Sequence, residues 1–277
     1  MTGEALERIL ITVKTYPTLS AKYGETVCTA GLREDGSWVR IYPVPFRGLE
    51  SEEQYKKYDW VECKLVRRSN DHRPESYSPD YREGFTQVDH LGTSGRWRAR
   101  RHLLLKDGMV FRVIGSLIED AKSNVRSLAI FKPTKIIEFT WEVDEPEWDA
   151  RKLAAMRARH NQLDLFDEVS WRDRIFKVIP KLPYNFYYRF TDADGRESRL
   201  IILDWEIGAL YWNCRRSSAN DSEALEKVKR KYWDDFMKSD LHFYLGTTQL
   251  FHQMAPNPWV IIGVLPIPFD RQSVIDL

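Results

Sequence analysis

Residues Thr26 to Arg47 read TVCTAGLREDGSWVRIYPVPFR, and this stretch predicts two β-strands joined by a tight turn. The first strand, residues 27–32, is β-prone and mostly apolar. The Asp35-Gly36 pair that follows supplies the positive φ angles of a short hairpin turn. The rest of the chain is organised around this hairpin.

The second strand of the hairpin alternates strictly, so its two faces differ. Val39 and Ile41 suit a core, whereas Trp38, Arg40 and Tyr42 point the other way. Flat rings beside a guanidinium are typical of a surface that stacks bases and contacts phosphates. The alternative is a hairpin whose large outer residues are covered by another segment, because aromatic residues also populate ordinary sheets.

Two short motifs give the hairpin its pattern, Cys-x-Ala-Gly and Asp-Gly-x-Trp-x-Arg followed by proline. Their residues are Cys28, Ala30, Gly31, Asp35, Gly36, Trp38, Arg40 and Pro43. The pattern resembles the opening hairpin of bacterial dual OB-containing domains, which are paired small barrels. The resemblance implies an OB-like fold, a nucleic-acid partner, and a setting in DNA repair or anti-phage defence.

The composition is that of a folded protein with a substantial core. Of the 277 residues 43% are hydrophobic and 30% charged, and the net charge of +1 predicts no global steering field. Ten tryptophans favour β-rich structure over a helical bundle. The sequence has no apolar run of membrane-spanning length, no signal-peptide pattern and no zinc spacing among its three cysteines. We therefore expect a cytoplasmic protein without membrane partner, metal or cofactor.

The predicted fold is α+β and β-rich, with OB-like small barrels carrying helical insertions in two halves. Residues 1–145 are assigned to an N-terminal OB-like barrel domain, with about six strands and a long loop at 67–95. Residues 146–170 are a helix and linker. Residues 171–277 form a C-terminal α+β domain, in which Asp204 and either Asn220 or Asp221 are expected to cap helices.

Aromatic and basic residues of the N-terminal half form the predicted nucleic-acid surface, for which DNA is favoured over RNA. They are Lys14, Tyr16, Arg33, Trp38, Arg40 and Arg47, with Arg96, Arg98 and Arg100 as outlying cations. For the arginine-rich stretch at 96–105, the alternative is a solvated helix face.

A short motif in the linker, Gln162-Leu163-Asp164-Leu165-Phe166, resembles the peptide by which bacterial DNA polymerases and repair proteins dock on the sliding clamp. Leu163, Leu165 and Phe166 would be apolar anchors and Gln162 a polar contact at the edge of the cleft. The alternative is that the three apolar residues pack the end of the helix onto the core.

Two polar clusters are candidate sites of chemistry. Asp71, His72, Arg73 and Glu75 place an imidazole, a guanidinium and two carboxylates in one loop, and such a set could serve hydrolysis of a phosphodiester or N-glycosidic bond, with Asp71, His72 or Glu75 as the catalytic group. Such loops also occur without catalysis. In the C-terminal half, His252 could line a pocket with Thr247 and Thr248.

Three functions therefore stay open. The chain is a DNA-binding protein of repair or defence that the sliding clamp recruits, a nuclease or glycosylase acting on modified or foreign DNA, or a non-catalytic sensor of a modified base or nucleotide. The absence of Walker, GxGxxG, HExxH and nucleophile-elbow motifs disfavours P-loop, Rossmann and common hydrolase chemistry.

Overall fold

The computed structural model describes residues 6–20, 22–80, 82–163 and 178–269, with the backbone alone for residues 159–163. These residues form two seven-stranded sheets and five α-helices. The prediction of a β-rich α+β protein in two parts, with an OB-like barrel, is confirmed.

The first sheet closes into a barrel. Its strands are β1 (Leu6–Lys14), β2 (Thr18–Ser20), β3 (Gly24–Arg33), β4 (Trp38–Val44), β5 (Asp59–Arg67), β6 (Ser76–Pro79) and β7 (Thr86–His90). Five of them follow the order β1-β3-β4-β6-β5, and β1 pairs with both β3 and β5 to close the ring. The neighbours β4 and β6 are parallel. This is the five-stranded barrel expected of an OB-like fold.

The barrel interior is filled by alternate residues of its strands. Val39 and Ile41 lie there with Ile9 and Ile11, as the hairpin pattern predicts. Gly31 lets β1 and β3 approach each other, because a Cβ at this position would lie 2.3 Å from the Leu10 carbonyl oxygen.

The second sheet is mixed. Its strands are β8 (Val110–Phe111), β9 (Leu128–Phe131), β10 (Lys135–Val143), β11 (Tyr184–Thr191), β12 (Glu197–Ile202), β13 (Asp240–Thr247) and β14 (Trp259–Ile267). They follow the order β10-β11-β12-β14-β13-β9-β8. Strands β9 and β10 pair with the C-terminal strands β13 and β11, and β8 pairs with β9, although all three lie within residues 1–145, which the sequence assigns to the N-terminal half. β9, for example, pairs with β13, which lies more than a hundred residues further along the chain. Local sequence does not predict which distant strand will be the partner.

The α-helices are α1 (Ser94–Leu104), α2 (Ile114–Lys122), α3 (Ala150–Leu163), α4 (Trp205–Arg216) and α5 (Asp221–Lys229). Asp204 caps α4 by accepting a hydrogen bond from the Glu206 backbone N–H at 3.2 Å. Asn220 caps α5 by accepting from the Glu223 N–H at 3.0 Å. The predicted capping role of Asp204 is confirmed, and Asn220 is the cap of the second helix. None of the helices in the described ranges is long and apolar enough to cross a membrane.

The central strands β9 and β13 of the second sheet are buried on both faces. In β9, Ala129 and Phe131 pack with α2, α4 and α5, while Leu128 and Ile130 pack against the barrel residues Leu10, Val13, Ala30 and Leu32. A strand covered on both faces reads as a continuous apolar run, and LAIF at 128–131 is such a run. The barrel thus docks on the sheet through the outer face of β1 and β3.

The prediction of one long loop at 67–95 is wrong. This stretch contains β6 and β7, and β6 is the strand that completes the barrel. Its four residues, SYSP, carry little local strand signal and depend on the partners β4 and β5.

Candidate ligand cavity between the barrel and the second sheet

Arg40 is buried in the structure and does not lie on an open surface. Its side chain faces away from the barrel interior, as the alternation predicts, but the second sheet covers that face and leaves the residue 3% exposed. The Nη2 atom donates hydrogen bonds to the Ser127 carbonyl oxygen at 2.8 Å and to the Ser127 hydroxyl at 3.0 Å. Trp38 is half-buried, with its ring 6.2 Å from that of Tyr244. The expectation of an open Trp38–Arg40 surface is therefore wrong, and the alternative of a covered face is correct.

Most of the other predicted nucleic-acid contacts are engaged within the chain. Lys14 donates to the Tyr55 carbonyl, Arg33 pairs with Glu7, Arg47 pairs with Glu25, Arg96 donates to the Phe269 carbonyl, and Arg100 lies 3.7 Å from the centre of the Tyr58 ring. Arg98 is exposed. Of the nine predicted residues, Tyr16 and Arg40 line the cavity described next.

A cavity of about 420 Å³ lies where the barrel meets the second sheet. This volume falls in the range of small-molecule sites. The barrel contributes residues from β3, β4 and the β1–β2 connection, and the second sheet and its loops contribute the opposite wall. The residues used below are Tyr16, Arg40, Tyr42, Arg73, Trp148, Tyr184, Thr247 and Thr248.

Two polar atoms at this cavity are buried without a hydrogen-bond partner among the described residues. They are Nε of Arg40 and Oγ1 of Thr248. Burial, together with the nearby charge of Arg73, lowers the pKa of Arg40 to about 10, so the guanidinium stays charged at neutral pH. Its two bonds to Ser127 go to neutral oxygens, and a buried cation held in this way favours an added acceptor or anion.

Four aromatic side chains line the same cavity, and all four make hydrogen bonds within the chain. The Tyr16 hydroxyl donates to the Pro180 carbonyl at 2.8 Å, Trp148 Nε1 donates to the Ile179 carbonyl at 2.7 Å, and the Tyr184 hydroxyl donates to Asp221 at 3.0 Å. The fourth, Tyr42, accepts from the Thr26 hydroxyl at 3.4 Å. These rings give the cavity flat apolar surfaces that are already positioned.

Contacts with the end of β12 and with α4 fix the position of Tyr16. Its backbone N–H donates to the Leu203 carbonyl at 2.9 Å, and its ring lies against Gly208. A Cβ on Gly208 would lie 2.2 Å from that ring, so a larger residue there would displace Tyr16. Burial raises the pKa of Tyr16 to about 12, which keeps the hydroxyl protonated as a donor.

The loop from Asp71 to Glu75 joins the barrel to the second sheet. Asp71 forms a bidentate ion pair with Arg73, and Arg73 Nη1 donates to the Thr247 carbonyl. Glu75 accepts from the Ser127 N–H at 3.0 Å and from the Ser127 hydroxyl at 2.6 Å. Burial alone would raise the pKa of Asp71, but the hydrogen bonds and charge of Arg73 hold it well below its usual range. Because these contacts occupy both carboxylates, the geometry does not place Asp71 or Glu75 to act as a general base.

His72 and His252 lie on the same side of this junction. The His72 side chain is exposed and its ring centre is 5.8 Å from that of His252. His252 is fully buried, with Nδ1 2.9 Å from the Thr247 hydroxyl and Nε2 2.9 Å from Asn124 Oδ1. Because Asn124 Oδ1 can only accept, Nε2 carries the proton and Nδ1 accepts from Thr247. Thr247 and Thr248 line the cavity, and His252 supports Thr247 from behind.

His252 is expected to make the folded state sensitive to acid. Burial, and then the positive charge of Arg73, lower its pKa to about 4 from an ordinary value of 6.5. The folded state therefore binds fewer protons than the unfolded chain, and stability present above pH 6.5 is lost as the pH falls toward 4. Denaturant titrations across this range should show a shallower loss of unfolding free energy for His252→Gln than for the wild type. The exposed His102→Gln serves as control, and a His252→Gln profile parallel to the wild type would contradict the assignment.

The linker motif falls largely outside the described residues. Leu165 and Phe166 lie beyond them, and for Gln162 and Leu163 the structure gives the backbone at the end of α3. Clamp docking stays a prediction. Within the described ranges, no group of three or more His, Cys, Asp or Glu side chains could hold a metal ion.

Sequence reasoning missed Arg73, Trp148 and Tyr184 as members of one site. They come from a barrel loop, the segment before α3 and the start of β11, and no motif connects them. The hypothesis of a pocket lined by His252, Thr247 and Thr248 is correct for the two threonines, whereas His252 contacts Thr247 and is not part of the lining.

Fold and cavity together define a class, a β-rich protein with a closed five-stranded barrel docked on a mixed sheet and a ligand cavity at the junction. A family model described as Domain of unknown function (DUF8758) matches residues 5–106, which contain the barrel and α1. A second, described as Domain of unknown function (DUF8757), matches residues 114–276, more than half of the chain. The chain belongs to this second family.

No curated protein matches the chain. Among solved structures, one titled "Structure of murine DNA binding protein bound with ds DNA" is similar over 95% of this chain and 97% of that chain. The identity is 8% and the TM-score 0.31.

Proposed function

We propose that the protein binds nucleic acid by taking one nucleotide unit into the cavity between the barrel and the second sheet, without catalysis. The observation that carries this proposal is the buried guanidinium of Arg40, whose Nε has no partner and whose described hydrogen bonds go to neutral atoms. A phosphate or the edge of a base offers the acceptors that this group lacks.

The aromatic lining supports the same ligand class. Every base has a flat face that stacks on tyrosine or tryptophan, and each such stack contributes about 1–3 kcal/mol. Tyr16, Tyr42, Trp148 and Tyr184 supply such faces, and the unpartnered hydroxyl of Thr248 can serve a base edge as donor or acceptor.

The position of the cavity on the barrel supports a polymeric ligand over a free small molecule. OB-like barrels bind oligonucleotides on the face formed by the second and third of their five barrel strands. They also use the loop that follows the first barrel strand. In this chain those ring strands are β3 and β4, and the cavity is lined by Arg40, Tyr42 and residues 15–18 of that loop.

The test is a binding panel read by fluorescence anisotropy, with labelled single-stranded DNA, single-stranded RNA and duplex DNA, and competition by mononucleotides. We expect saturable binding to at least one oligonucleotide, with intact product on a gel. Thr248→Val keeps the side-chain shape and should weaken binding about tenfold, since one hydrogen bond inside the cavity is lost. Binding of a mononucleotide without an oligonucleotide would favour the sensor, cleavage or abasic sites would favour the enzyme, and no binding at all would overturn the proposal.

Salt dependence distinguishes the cavity from a broad basic surface. A cavity that neutralises one or two phosphates of a single strand predicts a slope of log affinity on log salt of about −0.7 to −1.4. The surface expected from sequence contains seven cations and would give about −5. A steep slope would contradict the cavity as the main binding site.

We also propose that a sliding clamp recruits the protein and that it acts in DNA repair or defence. These proposals are independent of the cavity. For clamp docking, Leu165→Ala combined with Phe166→Ala should abolish retention on immobilised clamp, because the apolar anchors supply most of the energy of a docking peptide. Retention unchanged from the wild type would remove that part and leave the cavity proposal intact.

A further inference from the structure

The loop that lines one wall of the cavity continues into a strongly exposed apolar turn. Thr247, Thr248 and Gln249 line the cavity, and the next residues include Leu250, Phe251 and Met254. These three side chains are 69%, 53% and 80% exposed. Large apolar side chains grouped on one turn beside a binding cavity are unusual unless they meet a partner.

The turn is held in place from several sides. The Ala255 backbone N–H donates to the Phe251 carbonyl at 3.1 Å, and Gln253 Nε2 donates to the Lys122 carbonyl at 3.2 Å. Gln249 donates to the Asn70 carbonyl of the barrel, and the buried His252 anchors the centre. Leu250 and Phe251 are thus presented to solvent by a fixed support.

We propose that Leu250 and Phe251 form a wedge that enters the base stack of a duplex and displaces one base into the adjacent cavity. This inference rests on the proposed function, because the cavity must accept the displaced unit. Apolar side chains that enter a base step unstack it, and proteins that bind an extruded base combine such unstacking with a pocket that receives the base.

The surroundings of the turn favour a base stack over another protein or a lipid surface. Gln249 and Gln253 use their amide nitrogens, and Asn257 its amide oxygen, within the chain. The other amide atom of each side chain can contact the backbone or base edges of a duplex. A stable protein interface needs about 800 Å² on each partner, which a few side chains on one turn do not provide. The direct continuity with the cavity gives the displaced base a destination, because Nε of Arg40 and Oγ1 of Thr248 have no hydrogen-bond partner there among the described residues.

The test compares duplex and single-stranded forms of one oligonucleotide that carries 2-aminopurine. We expect the wild-type protein to increase 2-aminopurine fluorescence in the duplex. Leu250→Ser combined with Phe251→Ser should remove that increase and weaken duplex binding about tenfold or more, with single-strand binding unchanged, because a single strand needs no unstacking. Val88→Ser, an exposed apolar position on β7, is the matched control and should behave as wild type.

The outcomes separate this inference from the function it rests on. If the double variant extrudes the base as the wild type does, the wedge is refuted while cavity binding stands. If the wild type binds the single strand but does not increase 2-aminopurine fluorescence in the duplex, the wedge is also refuted. If the wild type binds no oligonucleotide, both fail. If the double variant loses only self-association, the turn contacts a second copy of the chain. If it loses only binding to anionic lipid vesicles, the turn contacts a membrane surface. Either result would also overturn the wedge.

Discussion

Arg40→Met is expected to lower affinity for an oligonucleotide by about tenfold to a hundredfold. The guanidinium is a buried charged group at the cavity and has donor capacity left at Nε. A hydrogen bond to a charged partner contributes about 1.5–3 kcal/mol, so loss of the bond from Nε corresponds to about one to two factors of ten. Equilibrium binding of the preferred oligonucleotide measures the effect.

The same substitution should change the free energy of unfolding by much less than it changes binding. Methionine fills the volume, and removal of a buried charge that meets neutral oxygens offsets the two lost bonds to Ser127. Glu75 continues to accept from the Ser127 hydroxyl. Arg98→Met, at an exposed arginine outside the cavity, is the control and should leave binding unchanged. Equal losses in both variants would mean that overall basicity, and not the cavity, determines affinity.

Asp71→Ala is expected to cost about 3–5 kcal/mol of folding free energy, because it leaves the buried Arg73 cation without its partner. The Asp71 and Arg73 side chains are 1% and 6% exposed, and Arg73 also donates to the Thr247 carbonyl across the junction. Denaturant titration at neutral pH measures the change.

The chain contains a matched control for this ion pair. Asp80 and Arg82 repeat the same spacing and the same bidentate geometry, but the Arg82 side chain is 89% exposed. Asp80→Ala should therefore change stability little, since solvent screens an exposed pair. Replacing both members, Asp71→Leu with Arg73→Met, should recover much of the loss because no unpaired charge remains. If Asp71→Ala and Asp80→Ala cost the same, burial of the first pair does not matter and the junction is held by other contacts.

The hairpin shows how far local sequence reaches. The alternation of Val39 and Ile41 against Trp38 and Arg40 correctly separates the two faces of β4. That the outer face is covered as well depends on the second sheet and the residue before its strand β9, Ser127, which lies 87 positions further along the chain than Arg40. A pattern of period two distinguishes faces but does not identify what lies against them.

The cavity illustrates the same limit for function. Arg40 and Tyr42 were singled out from sequence as a ligand surface, and they do line the candidate site, but as part of one wall of a cavity between the barrel and the second sheet. The opposite wall comes from Trp148, Tyr184 and Thr248, which are separated from the hairpin by more than a hundred residues. These residues come together because strands distant in the sequence pair with one another. The free energy of the whole fold decides that pairing, and no local segment does.

By itself the sequence determined the local features, namely the hairpin turn at Asp35-Gly36, the two faces of β4 and the cap of α4, because turn geometry, side-chain alternation and capping depend on neighbouring residues. Tertiary structure alone decided that β6 closes the barrel, that the barrel docks on a second sheet, and that Arg40 lies in a cavity with an unpartnered Nε. The physical reason is that burial and hydrogen-bond satisfaction are properties of packed surfaces, which form between segments distant in the chain.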